Sequence, residues 1–127
     1  MLYRRASVPN PKEGREIAHV AVCVTAPSQA EAEAIGRALV EARLAASVNV
    51  VPGVSSFYRW EGALREGDEA MLWAKTRADL VEPLTAKVKA LHSYACPCVI
   101  ALPITGGNPN YLAWIDAETA TAPNDPD

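Results

Sequence analysis

The sequence has few cysteines, no surplus of positive charge and no long apolar run. Its 127 residues include three cysteines, and so sparse and odd a set does not suit a secreted domain held by disulfides. The formal net charge is -3, whereas nucleic-acid-binding proteins normally carry a basic surface. Apolar stretches such as residues 98–104 are far shorter than a membrane span, and residues 1–16 lack the apolar core of a secretory signal. We therefore expect a cytoplasmic protein with reduced thiols and with no nucleic-acid or membrane partner.

Motifs of the common enzyme classes are also missing. The sequence has no glycine-rich phosphate loop, no Gly-x-Ser-x-Gly nucleophile elbow and no His-Glu-x-x-His zinc motif. Gly106-Gly107 precedes a helical pattern, but one glycine pair is more typical of a strand-to-helix turn. Asp and Glu residues fall mostly in turns and on helix exteriors, so no acid–base pair stands out. We expect no catalysis.

Hydrophobic periodicity predicts one domain over residues 17–119. Residues 1–16 and 120–127 carry prolines and charges without periodicity, which predicts disordered tails. The domain opens with an apolar, β-branched strand over residues 17–25. Ser28 and Glu31 then form a capping-box pattern, in which each side chain satisfies a free backbone N–H of the other, and the helix should reach about residue 45.

The middle of the domain predicts two strands joined by a turn. Residues 47–58 are rich in β-formers, and Pro52-Gly53 predicts a bend or bulge within them. Residues 61–68 hold two glycines and four charges, which is typical of an exposed hairpin turn. Residues 69–76 then predict the returning strand.

The last third predicts a helix, a strand and a final helix. Asp79 and Glu82 repeat the capping-box pattern before a helical stripe of leucine and valine. Residues 95–104 predict the fourth strand, and Asn108 followed by Pro109 starts the last helix. The order indicates an α+β protein, a ferredoxin-like β-α-β-β-α-β sandwich with an extra C-terminal helix.

The residues with the most reactive side chains lie in one short segment. His92, Cys96 and Cys98 offer an imidazole and two thiols, a soft ligand set suited to Cu(I) or Zn. If Cys96 and Cys98 lie in an extended strand, both thiols point to one face. The alternative is that the cysteines pack as small apolar residues, and Cys23 in its valine-rich strand fits that alternative best.

Five aromatic residues could line either a ligand cleft or an interface between subunits, and the sequence leaves both roles open. Both kinds of surface are enriched in aromatic side chains. The residues concerned are Tyr58, Trp60, Trp73, Tyr94 and Trp114. Lys75, at the end of a strand, is a candidate anion ligand or an ordinary exposed lysine.

Several motifs resemble the CutA family, whose members are known as divalent-cation tolerance proteins. The resemblance covers about residues 18–117, with the motifs in the same order and spacing. It is carried by the segments Thr25-Ala26-Pro27, Asn49-Val50-Val51-Pro52-Gly53, Ser56-Phe57-Tyr58-Arg59-Trp60-Glu61-Gly62, Lys75-Thr76, His92-Ser93-Tyr94 and Gly107-Asn108-Pro109-Asn110-Tyr111-Leu112-Ala113-Trp114-Ile115.

The resemblance implies a tight homotrimer whose long hairpin strands pair across subunits, with an architecture like that of the PII signalling proteins. It implies tolerance and binding of copper or other divalent cations, with no cofactor needed for folding. The matching site residues are His92 together with a ligand-cleft set of Tyr58, Trp60, Glu61, Lys75 and Tyr94. The alternative is a PII-like trimer that binds a small ligand between subunits.

Three positions depart from the family pattern. Many relatives carry Cys where Ser47 stands, Pro where Ser93 stands and Glu where Cys98 stands. These changes remove a thiol and a carboxylate and add a different thiol. They alter any metal site that the family would supply.

Overall fold

The computed structural model describes residues 8–10 and 15–120 of the chain. In chain order its elements are β1 (Val8–Asn10), β2 (Arg15–Ile17), β3 (His19–Ala26), α1 (Gln29–Glu41), β4 (Ser47–Trp60), β5 (Ala63–Arg77), a 3-10 turn (Ala78–Leu80), α2 (Val81–Leu91), β6 (Val99–Ile104) and α3 (Pro109–Glu118).

The main sheet has four antiparallel strands in the order β4-β5-β3-β6. The two central strands, β3 and β5, come from different halves of the chain. Helices α1 and α2 form the two crossovers, and this arrangement is the ferredoxin-like one. The predicted α+β fold with an additional C-terminal helix is therefore confirmed.

Helices α1 and α2 cover one face of the sheet. Burial alternates along β5, where Ala70, Leu72, Ala74 and Thr76 point into the core and their neighbours do not. The apolar stripes of both helices meet this face, because period-2 strands and period-3.6 helices each present one apolar side. On the opposite face Ile100 and Leu102 of β6 remain 55% and 42% exposed.

The β4–β5 hairpin is longer than the sequence pattern predicts. The turn is tight, with Glu61 and Gly62 at φ 51° and 79°, and residues 63–68 belong to β5 rather than to the turn. The prediction of a turn over residues 61–68 is wrong, because charged side chains on an exposed strand resemble a polar loop in sequence. The predicted bulge at Pro52-Gly53 is confirmed by a register shift between Val51 and Val54.

Two of the three predicted helix N-caps are present in the structure. The Ser28 hydroxyl accepts from the Glu31 N–H at 3.1 Å, and the Asn108 side chain accepts from the Asn110 N–H at 3.0 Å. Asp79 caps no helix, since α2 begins two residues later and the Asp79 carboxylate lies 3.5 Å from Arg77 instead. Helix α1 ends at Glu41, four residues before the predicted end.

Two predicted boundaries also differ. The fourth strand begins at Val99 and not at residue 95, and Pro97, which has no N–H to donate, lies just before its start. Within the predicted N-terminal tail, β1 and β2 pair with each other, with Val8 opposite Ile17. Residues 1–7, 11–14 and 121–127 lie outside the described residues.

Helix α3 lies near the end of the sheet where β3 and β4 begin. Ile115 is fully buried, the His19 Nε2 atom lies 2.8 Å from Asp116 Oδ1, and the hydroxyls of Ser47 and Tyr111 are 3.2 Å apart. The opposite end of the sheet, where β3 ends, stays free of α3.

Candidate functional site

A cleft of about 770 Å³ lies at that opposite end. One wall is the second half of β4, the other is the segment between α2 and β6, and β3 and β5 contribute Thr25, Glu69 and Met71. Five residues selected from the sequence line it: Tyr58, Trp60, Tyr94, Cys96 and Cys98. The structure therefore gathers most of the predicted cleft residues and both exposed cysteines in one place.

His92 anchors the segment that carries the cysteines. Its side chain is buried, and Nε2 lies 2.7 Å from the Thr25 carbonyl oxygen. Because a carbonyl only accepts, Nε2 must carry the proton and donate it. The Tyr94 N–H donates to Nδ1 at 3.0 Å. Both ring nitrogens are engaged within the chain, so His92 holds the segment in position.

Glu31 supports the same segment from α1. Its Oε2 atom accepts from the Ser93 N–H at 2.9 Å and lies 3.4 Å from His92 Nδ1. The carboxylate predicted to close a capping box with Ser28 thus reaches across to the start of the cysteine segment. A charged acceptor on a backbone N–H is stronger than a neutral one, and this contact ties helix α1 to the cleft wall.

Tyr94 ties the segment to β5. Its hydroxyl donates to Glu69 Oε2 at 2.7 Å, and its ring lies 4.7 Å from that of His92. Burial raises the pKa of Tyr94, and the Glu69 carboxylate raises it further as hydrogen-bond acceptor and as a negative charge. Of the described residues that line the cleft, only Glu69 is formally charged. The cleft therefore combines aromatic, sulfur-containing and hydroxyl side chains with one anionic group.

The two thiols at the cleft are exposed and free, and neither lies in a regular strand. The sequence analysis expected the two thiols to point to one face because Cys96 and Cys98 would alternate within a strand. That reason is wrong, since both residues lie in the irregular segment before β6, and this segment brings them to the cleft. Partial burial raises the pKa of the Cys98 thiol, although the residue as a whole is exposed, and the Glu69 charge raises it further, while a hydrogen bond from Thr25 opposes both. Burial likewise raises the pKa of Cys23, and Cys98 adds to the shift.

Two residues of the predicted cleft set lie elsewhere. Glu61 is at the tip of the β4–β5 hairpin, with a carboxylate oxygen 3.8 Å from Arg65. Lys75 is near the far end of β5, where its ammonium donates to the Asn49 side-chain oxygen. Neither residue lines the cleft within one chain.

Comparison with known proteins agrees with the fold. The model of the CutA1 divalent ion tolerance protein family matches residues 20–118, which is most of the chain. This chain belongs to the CutA1 family. Among the described residues of this family member, no helix has the length and apolarity needed to cross a membrane.

Relatives that resemble this chain occur in bacteria, archaea, plants and animals. The divalent-cation tolerance protein CutA of Thermus thermophilus is 48% identical over 77% of this chain and 95% of the relative. The chloroplastic CutA protein of Arabidopsis thaliana is 41% identical over 90% of this chain, which spans only 63% of that relative. The crystal structure of CutA1 from Oryza sativa superposes with a TM-score of 0.80 at 42% identity, covering 84% of this chain and 97% of that one.

Among the cleft residues that sequence reasoning missed, three come from the central strands β3 and β5. Thr25, Glu69 and Met71 come from two strands, and the register pairs Thr25 with Met71. Glu69 and Met71 are two apart on β5, so alternation places them on one face. That spacing was visible in the sequence, but the partner strand was not, because register depends on pairing between distant segments.

The donor set of the cleft suits soft metal ions better than hard ones. Among the described residues, no three His, Cys, Asp or Glu side chains are grouped so as to hold a metal ion. The predicted trio of His92, Cys96 and Cys98 is thus not assembled within a single chain, because both nitrogens of His92 are already engaged. Two thiols, a thioether and one carboxylate line the cleft, and sulfur ligands select soft ions.

Proposed function

We propose that this CutA1-family chain acts in divalent-cation tolerance by binding copper or another divalent metal ion at the cleft, as a homotrimer and without catalysis. The proposal is supported by a cleft lined by Cys96, Cys98 and Glu69; because these three are not grouped around one point within a single chain, binding requires the proposed assembly to bring further ligands to them. Thiolates are strong ligands for copper and zinc, and a carboxylate attracts cations. His92 positions the cysteine segment in this proposal.

The uncovered face of the sheet supports self-association. Ile100, Leu102 and Val51 point away from the helices and are 42–55% exposed. An apolar sheet face of this kind marks an interaction surface in a soluble protein. Strands β4 and β6 form the edges of the described sheet, and their free hydrogen-bonding groups suit pairing with another chain. Sedimentation at several concentrations tests the trimer, and a single-chain mass at all of them refutes it.

Metal binding is tested by calorimetric titration of the full-length protein with Cu(II) and Zn(II). Cys98→Ser should weaken binding by at least about tenfold if Cys98 is a ligand. The matched control is Ser55→Ala, which changes a polar residue of the same cleft and leaves the sulfur atoms in place. Equal affinities for the wild type, Cys98→Ser and Ser55→Ala, or no heat of binding at all, would refute the proposed site.

A second candidate function, small-ligand binding in the manner of PII-like trimers, is favoured by the aromatic wall of the cleft. Tyr58 and Trp60 line it and are 47% and 45% exposed. The volume of about 770 Å³ lies in the usual range of small-molecule sites. A thermal-shift screen of nucleotides and organic anions tests this candidate, with Trp60→Ala as the variant that should lose the stabilisation.

A cytoplasmic location is part of the proposal. Cys23, Cys96 and Cys98 are all free, and free thiols are typical of reducing compartments. Cell fractionation with an antibody to the chain tests this location.

A further inference from the structure

We infer that the small molecule for which the cleft is built is an organic cation, a protonated amine carried on a flat aromatic body. The inference rests on the second candidate function, small-ligand binding, and deepens it by naming the charge and shape of the ligand. It is carried by the Glu69 carboxylate, which faces aromatic side chains in the cleft and, among the described residues, has no cationic partner.

Glu69 keeps one carboxylate oxygen available to a ligand. Its Oε2 atom accepts from the Tyr94 hydroxyl at 2.7 Å, and no donor from residues 8–10 or 15–120 reaches Oε1. In the same residues no Lys, Arg or His nitrogen lies within 4.0 Å of either oxygen. The nearest cation on this face of β5 is Arg65, ~13 Å along the strand, and it lies 3.8 Å from Glu61. The negative charge of Glu69 is therefore not neutralised within the described part of the chain.

Sheet register turns the aromatic side chains of β4 to the side on which Glu69 lies. Val54 is the register partner of Glu69, and directly opposite residues project to one face of a sheet. Alternation along β4 from Val54 places Tyr58 and Trp60 on that face, and both side chains line the cleft. Because the face of an aromatic ring carries negative charge density, these rings attract the same cationic group as the carboxylate.

The electrostatic potential is also negative at the Tyr94 side of the cleft. Burial raises the pKa of the Tyr94 hydroxyl, the hydrogen bond and charge of Glu69 raise it further, and Glu31 adds to the shift. Burial and then the Glu69 charge likewise raise the pKa of Cys98. The carboxylates that oppose a negative charge on these groups also oppose an anionic ligand and favour a cationic one.

Gly67 leaves room for the ligand beside Glu69. It lies two residues before Glu69 on the same face of β5, and its register partner Ser56 lines the cleft. A Cβ atom added to Gly67 would meet no heavy atom within 4 Å beyond its chain neighbours. The side-chain position between Arg65 and Glu69 is thus empty, and the cleft of about 770 Å³ can hold a bicyclic amine.

The test uses three probes that share an indole ring and a short side chain. Tryptamine is cationic, tryptophol is neutral and indole-3-propionate is anionic. Each is titrated by calorimetry into the full-length protein in buffer containing EDTA, which keeps divalent metal ions out of the measurement. Tryptamine should bind at least about tenfold more tightly than tryptophol, and indole-3-propionate should bind more weakly than both.

Four variants assign the selectivity to the cleft. Glu69→Gln keeps an acceptor for the Tyr94 hydroxyl but removes the charge, so it should weaken tryptamine binding about tenfold and leave tryptophol unchanged. Glu66→Gln, the matched control, removes a charge from the other face of β5 and should bind all three probes like the wild type. Trp60→Leu should lower the ratio of tryptamine to tryptophol affinity about threefold. Gly67→Val fills the empty position and should weaken both probes alike; a thermal melt of each variant checks folding.

Two results would overturn the inference. One is equal affinity of the wild type for tryptamine and tryptophol, and the other is Glu69→Gln binding tryptamine as tightly as Glu66→Gln does. Tightest binding of indole-3-propionate refutes the cationic class and leaves small-ligand binding standing. Failure of all three probes to bind refutes the inference, and if the thermal-shift screen also finds no ligand, the second candidate function fails with it.

Discussion

Gly36 allows a sharp test of how α1 packs on the edge strand β4. It lies in the buried stripe of the helix, and a Cβ atom built on it would come 2.8 Å from Val48 Cγ1 and 3.4 Å from Val48 Cβ. Carbon atoms pack at about 3.5–4.0 Å, so Gly36→Ala creates a clash. Val48 is β-branched and its methyl groups cannot turn away without leaving a preferred rotamer.

Two opposing effects determine the outcome of Gly36→Ala. Alanine in a helix interior is more stable than glycine by about 0.5–1 kcal/mol. Overpacking a buried contact costs about 1–3 kcal/mol. We therefore expect a net destabilisation of about 1 kcal/mol in the wild-type background. In a Val48→Ala background the opposing methyl groups are absent, and the same change should stabilise by up to about 1 kcal/mol.

The assay is equilibrium urea unfolding of the wild type, both single variants and the double variant, all at one protein concentration because the proposed self-association would contribute to stability. The change of sign between backgrounds corresponds to a coupling free energy of about 2 kcal/mol, within the range for residues in contact. A Gly36→Ala variant that is more stable than the wild type, or that shifts both backgrounds equally, would refute the packing described for α1 and β4.

Three further predictions concern Tyr94 in the cleft wall, the N-cap of α1 and the core. Tyr94→Phe removes the donor to Glu69 and should destabilise by about 1 kcal/mol, since both groups are partly exposed. Because the pKa of Tyr94 is raised in the folded protein, the tyrosine ionises at a lower pH in the unfolded chain, and the free energy of unfolding should fall as pH rises above about 10. This fall should be less steep in Tyr94→Phe. Urea unfolding of the wild type and the variant between pH 8 and pH 11 measures the two slopes. Ser28→Ala should destabilise by about 1 kcal/mol and Ser28→Asp much less, because Asp keeps a cap oxygen for the Glu31 N–H. A Ser28→Asp variant that is destabilised as much as Ser28→Ala, or more, refutes the cap. Leu39→Ala, at a fully buried site, should destabilise by about 2–5 kcal/mol in the same assay, and a change under 1 kcal/mol would contradict the packing.

The order of elements was predictable because it depends on local patterns. The Ser28 cap, the Asn108-Pro109 start of α3 and the bulge near Gly53 each follow from a few adjacent residues. The Asp79 cap failed because a 3-10 turn intervenes before α2. The hairpin turn was placed too broadly, since an exposed strand of charged residues looks like a loop when only composition is considered.

The roles of the site residues depended on distant contacts. Sequence reasoning selected His92 as a ligand for its chemistry, but the Thr25 carbonyl and the Tyr94 N–H take up its two nitrogens. Glu69 looked like an ordinary strand residue until β5 placed it beside the Tyr94 hydroxyl. Hydrogen-bond partners 25 and 67 positions apart cannot be inferred from local spacing.

By itself, the sequence determined the secondary-structure order from β3 to α3 (though not the β1–β2 pair), the apolar faces of α1 and α2 and the family to which the chain belongs, because each depends on short-range spacing. Only the tertiary structure decided that Cys96, Cys98, Met71 and Glu69 share one cleft and that His92 supports its wall. The physical reason is that the antiparallel register of β3 with β5 and β6 brings together residues some 45 to 75 positions apart.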